Sequence, residues 1–103
     1  MIARLTFFSV AMENVEELKK IYNEEVVPVI RSQKGSVGAW LLVPADTKDD
    51  FISLTEWLSK ADAEAYEASG TYMEMVKKVK DRFKGDSVVK TYTAVDNKII
   101  ATA

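Results

Sequence analysis

Residues 51–69 read FISLTEWLSKADAEAYEAS, and this stretch decides the fold. Side chains alternate along a strand, so Phe51, Ser53, Thr55 and Trp57 fall on one side and Ile52 and Leu54 on the other. Ser59 then stands as a helix N-cap, with Asp62 at the third position to reach back toward it. An alanine-rich run follows, which favours helix. The chain therefore passes from a strand over 50–58 directly into a helix. This sets the large ring of Trp57 at a strand end, close to a helix carrying Tyr66 and soon followed by Tyr72.

Working outward, residues 2–10 (IARLTFFSV) are aromatic and branched and predict a first strand. Asn14 and Glu17 form a capping-box pair, and Glu16 adds first-turn negative charge. Val15, Leu18, Tyr22, Val26 and Val29 share one face of the helix that follows. Pro28 is expected to kink or end it, because proline lacks an amide hydrogen and crowds the carbonyl of Glu24. Residues 36–44 (SVGAWLLVP) predict a second strand, and the polar segment ADTKDD loops into the third, making a hairpin. Gly70 is expected to stop the helix after Ser59. Thr71, with Glu74, is expected to cap the next one, whose apolar stripe is Tyr72, Val76, Val79 and Phe83. Gly85 ends that helix, and residues 87–95 predict a fourth strand, with Lys98 to Thr102 extending it after a turn at Asp96-Asn97.

Strand, helix, strand, strand, helix pair, strand is an α+β order. It corresponds to the ferredoxin-like split β-α-β plan, a four-stranded antiparallel sheet with helices on one face. The length of 103 residues suits a single domain over 1–103. A sheet with one wet face should alternate apolar and polar residues. These strands do not: Val37, Ala39, Leu41 and Val43 oppose Trp40 and Leu42, and Ile2 and Phe8 oppose Leu5 and Phe7. Both faces call for burial, and an open apolar face of that extent predicts a homodimer packed sheet to sheet. A monomer folding aromatic side chains over its own edge is the alternative. Facing sheets could enclose a cavity where Gly38, Ala39, Ser53 and Thr55 leave room and Phe51 and Trp57 form flat walls, suited to a small aromatic ligand.

Composition excludes several classes of function. The chain has no histidine and no cysteine, so thiolate chemistry, disulfides, zinc ribbons and iron–sulfur sites are ruled out. A net charge of −2 gives no electrostatic reason to meet nucleic acid or anionic lipid. The strand DFISLTEW is acidic and lacks the basic and aromatic pattern of RNA-binding domains of this topology. No phosphate-binding glycine loop is present. The N-terminal run has no cleavage-like site, no apolar run approaches membrane-spanning length, and a cysteine-free chain fits the cytoplasm.

The pattern E-W-x-S-x-A-x-A-x-A-Y-x-x-S at 56–69, with Lys-Gly-Ser-Val-Gly at 34–38 and a helix containing Pro28, resembles the antibiotic biosynthesis monooxygenase family. The resemblance implies a dimeric α+β barrel of two ferredoxin-like subunits, with a pocket between each sheet and its helices. It also implies cofactor-independent oxygenation of quinol-like or polycyclic aromatics, although haem-degrading enzymes and proteins of unassigned function share the family. Trp57 matches the family tryptophan that lines the pocket. Tyr66 falls where many members carry histidine, and Ala3 stands where haem-degrading members carry asparagine. Haem degradation is therefore not expected, and no cofactor or metal is.

Candidate catalytic groups are Tyr66 and Tyr72, as donors or proton shuttles, and Arg4, with Arg82 as a second possible anion partner. Trp57, Phe51, Ser53 and Thr55 are the candidate substrate-binding residues. Each has a purely structural alternative. Trp57 suits a core, Tyr72 shares a stripe with Val76 and Val79, and Arg4 could be a solvated strand-end charge or an interfacial ion pair. The competing function is a non-catalytic ligand-binding or interaction module on the same scaffold, because no side chain with a near-neutral pKa is present to act as base.

Overall fold

A computed structural model describes residues 1–95. The chain runs through β1 (Ile2–Val10), a 3₁₀ turn (Met12–Asn14), α1 (Val15–Ile21), a π turn (Tyr22–Val26) and α2 (Val27–Arg31). It continues through β2 (Ser36–Leu42), β3 (Phe51–Trp57), α3 (Lys60–Glu67), α4 (Gly70–Lys80) and β4 (Phe83–Thr93). The four strands form one sheet in the order β2-β3-β1-β4, and every neighbouring pair is antiparallel. This is the α+β, ferredoxin-like arrangement expected. The suggested extension at 98–102 and the Asp96-Asn97 turn lie outside the described residues.

The helices bury one face of the sheet. From the strands Phe8, Ala39, Phe51 and Trp57 are buried there, and from the helices Leu18, Tyr22, Val26, Val27, Ile30, Ala63, Tyr66 and Met75. Trp57 and Leu18 are the largest side chains fully withdrawn from solvent. Two clusters result, one around Trp57, Tyr66 and Tyr22, the other joining Phe8, Leu18 and Phe51. Phe8 stacks on Phe51 and on Phe83, with centroids 5.8 and 4.2 Å apart.

Pro28 neither ends the helix nor breaks it. The chain takes a π turn just before it, in which the amide of Val27 donates to the carbonyl of Tyr22, five residues back. Helix then resumes, with Pro28 in its first turn, where a missing amide hydrogen costs little. The extra residue also aligns the buried stripe. Leu18, Tyr22, Val26 and Ile30 are each four apart, a spacing that drifts by about 40° per step on an ideal α-helix. The wider turn absorbs part of that drift, and Ile30 takes the buried place expected for Val29.

Other local expectations need correction. Asn14 stands at the N-cap of α1, but its side chain makes no capping bond; its own amide closes the 3₁₀ turn on Ala11 at 2.9 Å. Ser59 caps α3 as expected: its Oγ accepts from the Asp62 amide at 3.2 Å and donates to Asp62 Oδ2 at 3.0 Å. For α4 the cap is Ser69, which accepts from the Tyr72 amide at 3.2 Å; Gly70 and Thr71 already lie inside the helix. Helix α4 ends at Lys80, before Gly85, and β4 starts at Phe83 instead of 87. Gly85, at φ 80°, lies in a bulge where Phe7 faces Val88 but Ser9 faces Lys84.

Among the described residues no helix covers the opposite sheet face. Trp40, Leu42, Val88 and Tyr92 stand 43, 40, 54 and 50% exposed on it. Gly38 serves this face: a Cβ there would lie 2.5 Å from the Trp40 ring, so glycine lets the indole lie across its own strand. Among the described residues no helix is long and apolar enough to cross a membrane. Leu18→Ala would empty the centre of the Phe8–Phe51 cluster. A loss of about 2–5 kcal/mol is expected in denaturant unfolding, and a loss below about 1 kcal/mol would contradict the packing described.

Candidate functional site

The register of β1 against β3 builds the floor of a cavity. On the helix-facing side Ile2 pairs with Trp57, Arg4 with Thr55, Thr6 with Ser53, and Phe8 with Phe51. Two polar rows are thus bracketed by apolar and aromatic ones. Thr6, Ser53 and Thr55 are too small to reach the helices, and a cavity of about 140 Å³ opens above them. Helices α3 and α4 supply its roof through Ala63, Tyr66, Glu67, Tyr72 and Met75, and the π turn supplies Tyr22.

Of the residues singled out from sequence, Tyr66, Tyr72, Arg4, Trp57, Ser53 and Thr55 all line this cavity. Phe51 does not: it is held one row further along, against Phe8 and Leu18. Arg82 points away, with its guanidinium donating to Glu17 Oε1 at 2.6 Å and to the Lys78 carbonyl at 3.0 Å. The position of the cavity also corrects an expectation. It lies between the sheet and its own helices, as the family resemblance implied, and not between two facing sheets. Ser53, Thr55 and Trp57 all face the helices, whereas Gly38 lies beneath Trp40 on the other side.

The aromatic wall is continuous. The rings of Trp57 and Tyr66 stack at 5.2 Å with 27° between planes, and Tyr72 meets Tyr66 edge-on at 5.4 Å and 82°. Buried polar groups are paired along the floor. Trp57 Nε1 donates to Thr55 Oγ1 at 3.0 Å. The Tyr22 hydroxyl and Ser53 Oγ share a 2.6 Å bond, and Tyr22 also reaches the Trp40 carbonyl at 3.3 Å. Arg4, on β1, forms an ion pair with Glu67, at the end of α3.

The electrostatics follow from burial. Tyr66 is pushed up to about 12, first by desolvation and then by the neighbouring phenols of Tyr72 and Tyr22. Tyr22 is also raised by burial, against a smaller opposing effect of its bond to Ser53. Desolvation pulls Arg4 below its ordinary value, offset in part by Tyr72 and Glu64; an arginine nonetheless stays charged.

Sequence reasoning missed Tyr22, Glu67 and Thr6 as cavity residues. The signal for Glu67 was its spacing: Ala63, Tyr66 and Glu67 are three and four apart, on one helix face. The signal for Tyr22 was weaker, a phenol in an otherwise aliphatic stripe. Among the described residues there is no group of three His, Cys, Asp or Glu side chains placed to hold a metal ion.

Comparison with solved structures gives the same architecture repeatedly. A provisionally assigned antibiotic biosynthesis monooxygenase from Nitrosomonas europaea aligns at 18% identity, over 92% of this chain and 99% of that one, with a TM-score of 0.77. Rv0793 from Mycobacterium tuberculosis aligns at 14% identity, over 93% and 96%, with a TM-score of 0.76. A MhuD variant with two manganese protoporphyrin IX bound per active site aligns at 17% identity, over 95% and 98%, with a TM-score of 0.78. At these identities the likeness is one of fold. Among curated proteins none matches the chain in sequence. The sequence itself matches the family profile described as antibiotic biosynthesis monooxygenase over residues 1–78. With most of its length matched and this α+β fold, the chain belongs to the antibiotic biosynthesis monooxygenase family.

Proposed function

We propose that this chain is a cytoplasmic homodimer that binds a small, quinol-like aromatic molecule between its sheet and helices and oxygenates it without a cofactor. The observation that carries this reading is the cavity itself: a flat Trp57–Tyr66 wall over a short polar floor, in a volume of about 140 Å³. An engineered apolar cavity of about 150 Å³ holds one benzene ring, so the size favours a single ring over a polycyclic one. A porphyrin is larger than that volume, and the chain has no histidine to ligate its metal. Dimerisation is supported by the uncovered apolar face carrying Trp40, Leu42, Val88 and Tyr92. The cytoplasm is supported by the cysteine-free composition.

In this reading the ring lies against Trp57 and Tyr66, and its hydroxyl meets the polar floor. Ionised, the substrate is electron-rich enough to reduce dioxygen directly. One atom of the dioxygen joins the ring and the other leaves as water; the two further electrons and protons come from the quinol itself, which ends as a hydroxyquinone, so no external reductant is needed. The protein positions the ring, excludes water and stabilises the anion. Tyr66 suits the last role, since a phenol held protonated to about pH 12 remains a hydrogen-bond donor. The same property removes Tyr66 as a base. Together with the missing histidine, it favours a second reading, a non-catalytic module that only binds the aromatic molecule.

Oxygen uptake with a panel of hydroquinones separates the two readings. Uptake that falls about 10-fold or more in Tyr66→Phe supports the enzyme; binding without uptake by any panel member supports the module. In sedimentation at micromolar concentration the mass of two chains is expected, and that of one chain would rule out the dimer.

Tyr66 also makes stability depend on alkaline pH. Its folded pKa lies above the unfolded value of about 10, so its contribution is complete below pH 10 and is lost as pH rises toward about 12. Absorbance titration should find a late tyrosinate step that disappears in Tyr66→Phe. An unchanged titration in that variant would contradict the burial of this hydroxyl.

A further inference from the structure

Ionising a phenol requires somewhere for its proton to go. The chain has no histidine, and among the described residues the cavity lining holds, besides its tyrosines, two ionisable side chains, Arg4 and Glu67. These two are already paired with each other. Resting on the aromatic-ligand reading above, we propose that Glu67 is the proton acceptor of the site and that Arg4 exchanges partners in the same step, releasing the Glu67 carboxylate and taking the ligand's phenolate.

Charge balance is the reason for coupling the two events. Before the step the cavity holds Arg4⁺, Glu67⁻ and a neutral phenol. Ionising the phenol with the proton lost to solvent would leave one uncompensated negative charge among Trp57, Met75 and the tyrosine rings, which is costly in an apolar setting. If the phenol O–H bond breaks and the proton forms a new O–H bond on Glu67, the cavity holds Arg4⁺, phenolate and a neutral carboxylic acid. Its net charge does not change. The electron pair of the broken bond stays on the ligand oxygen, where the guanidinium N–H groups donate to it, and no oxidant is consumed in this step.

The neighbouring groups leave few alternatives. From α3, Glu64 acts on Arg4 at longer range, but it is a surface side chain paired with Lys60 at 3.6 Å. From α4, Tyr72 lines the same cavity as Arg4, and it raises the pKa of Arg4 where burial lowers it. Tyr66 and Tyr22, the remaining titratable groups over the cavity, are both shifted away from ionisation by burial. Among the described residues Glu67 is the carboxylate of the lining, one helical turn from Ala63 and beside Arg4.

The test uses 4-nitrophenol, a single ring whose ionised form is coloured, at a pH where it is ionised in solution. Visible absorbance reports the charge of the bound probe. Binding heats in buffers of different ionisation enthalpy count the protons taken up. For the wild-type protein the bound probe should remain coloured while about one proton is taken up per probe, because Glu67 must be neutralised when Arg4 leaves it. Glu67→Gln should bind the coloured form with no proton uptake, and Arg4→Gln should bind it about 10- to 100-fold more weakly. A coloured bound probe with no uptake by the wild type would overturn the proposal, since Glu67 would then have stayed charged. A colourless bound probe would overturn it too, since Arg4 would have kept Glu67. No binding by the folded wild type would instead remove the aromatic-ligand reading on which the proposal rests.

Discussion

The pairing of β1 with β3 is the constraint on which the rest of the molecule depends. Side chains in a strand alternate, so a single register assigns every residue of both strands to a face. With Arg4 opposite Thr55 and Thr6 opposite Ser53, the short polar side chains gather under the helices and leave a gap in what would otherwise be a filled core. The same register sends Leu5, Phe7, Ile52 and Leu54 to the face without helices. A slip of one residue would bury Leu54 and Ile52 and close the cavity. Cavity and bare apolar face are thus two consequences of one alignment.

The helices complete the site by local means that differ from element to element. Helix α3 is fixed at its start by the Ser59–Asp62 cap and at its end by Ser69 Oγ, which donates to the Tyr66 carbonyl at 2.5 Å. Gly35, at φ 79°, leaves room for Asp62: a Cβ there would lie 2.2 Å from its carboxylate. The carbonyl of Gly35 also accepts from the Leu58 amide at 2.8 Å. The strand-to-helix corner is therefore held from two directions, and it carries Trp57 on one side and Tyr66 on the other. The π turn before Pro28 does the corresponding work for Tyr22, by aligning a stripe that an unbroken α-helix would rotate away.

Much of this was legible from residues 51–69. Alternation placed Ser53, Thr55 and Trp57 on one face, and the cap at Ser59 marked where strand gives way to helix. The face itself was harder to assign. Both sides of the sheet are apolar, so alternation separates the two sets of residues without saying which set the helices cover, and Gly38 is grouped with the cavity for that reason. Phe51 is on the cavity's face, but alternation does not show that its row is filled by Phe8 and Leu18. Arg82 was considered as an anion partner on its charge alone, and its pairing with Glu17, 65 positions away, depends on tertiary contact. Glu67 is not legible locally because its pairing with Arg4, 63 positions away, depends on tertiary contact, and Tyr22 sits in a stripe that already has a structural explanation. The π turn has no sequence signature as plain as the proline that follows it, and the cap of α4 is one of two candidates, Ser69 and Thr71, that flank Gly70.

The central claim is that a ligand sits on the helix side of the sheet and not on its bare side, and the two tryptophans separate these cases. Trp57 is 1% exposed beneath the helices, while Trp40 is 43% exposed on the opposite face. Fluorescence titration with a single-ring hydroquinone can follow each indole alone, using Trp40→Phe and Trp57→Phe. Saturable quenching of Trp57 in the first variant, with Trp40 unaffected in the second, is the predicted result. Quenching of Trp40 in Trp57→Phe, with Trp57 silent in Trp40→Phe, would place the ligand on the bare face and contradict the account.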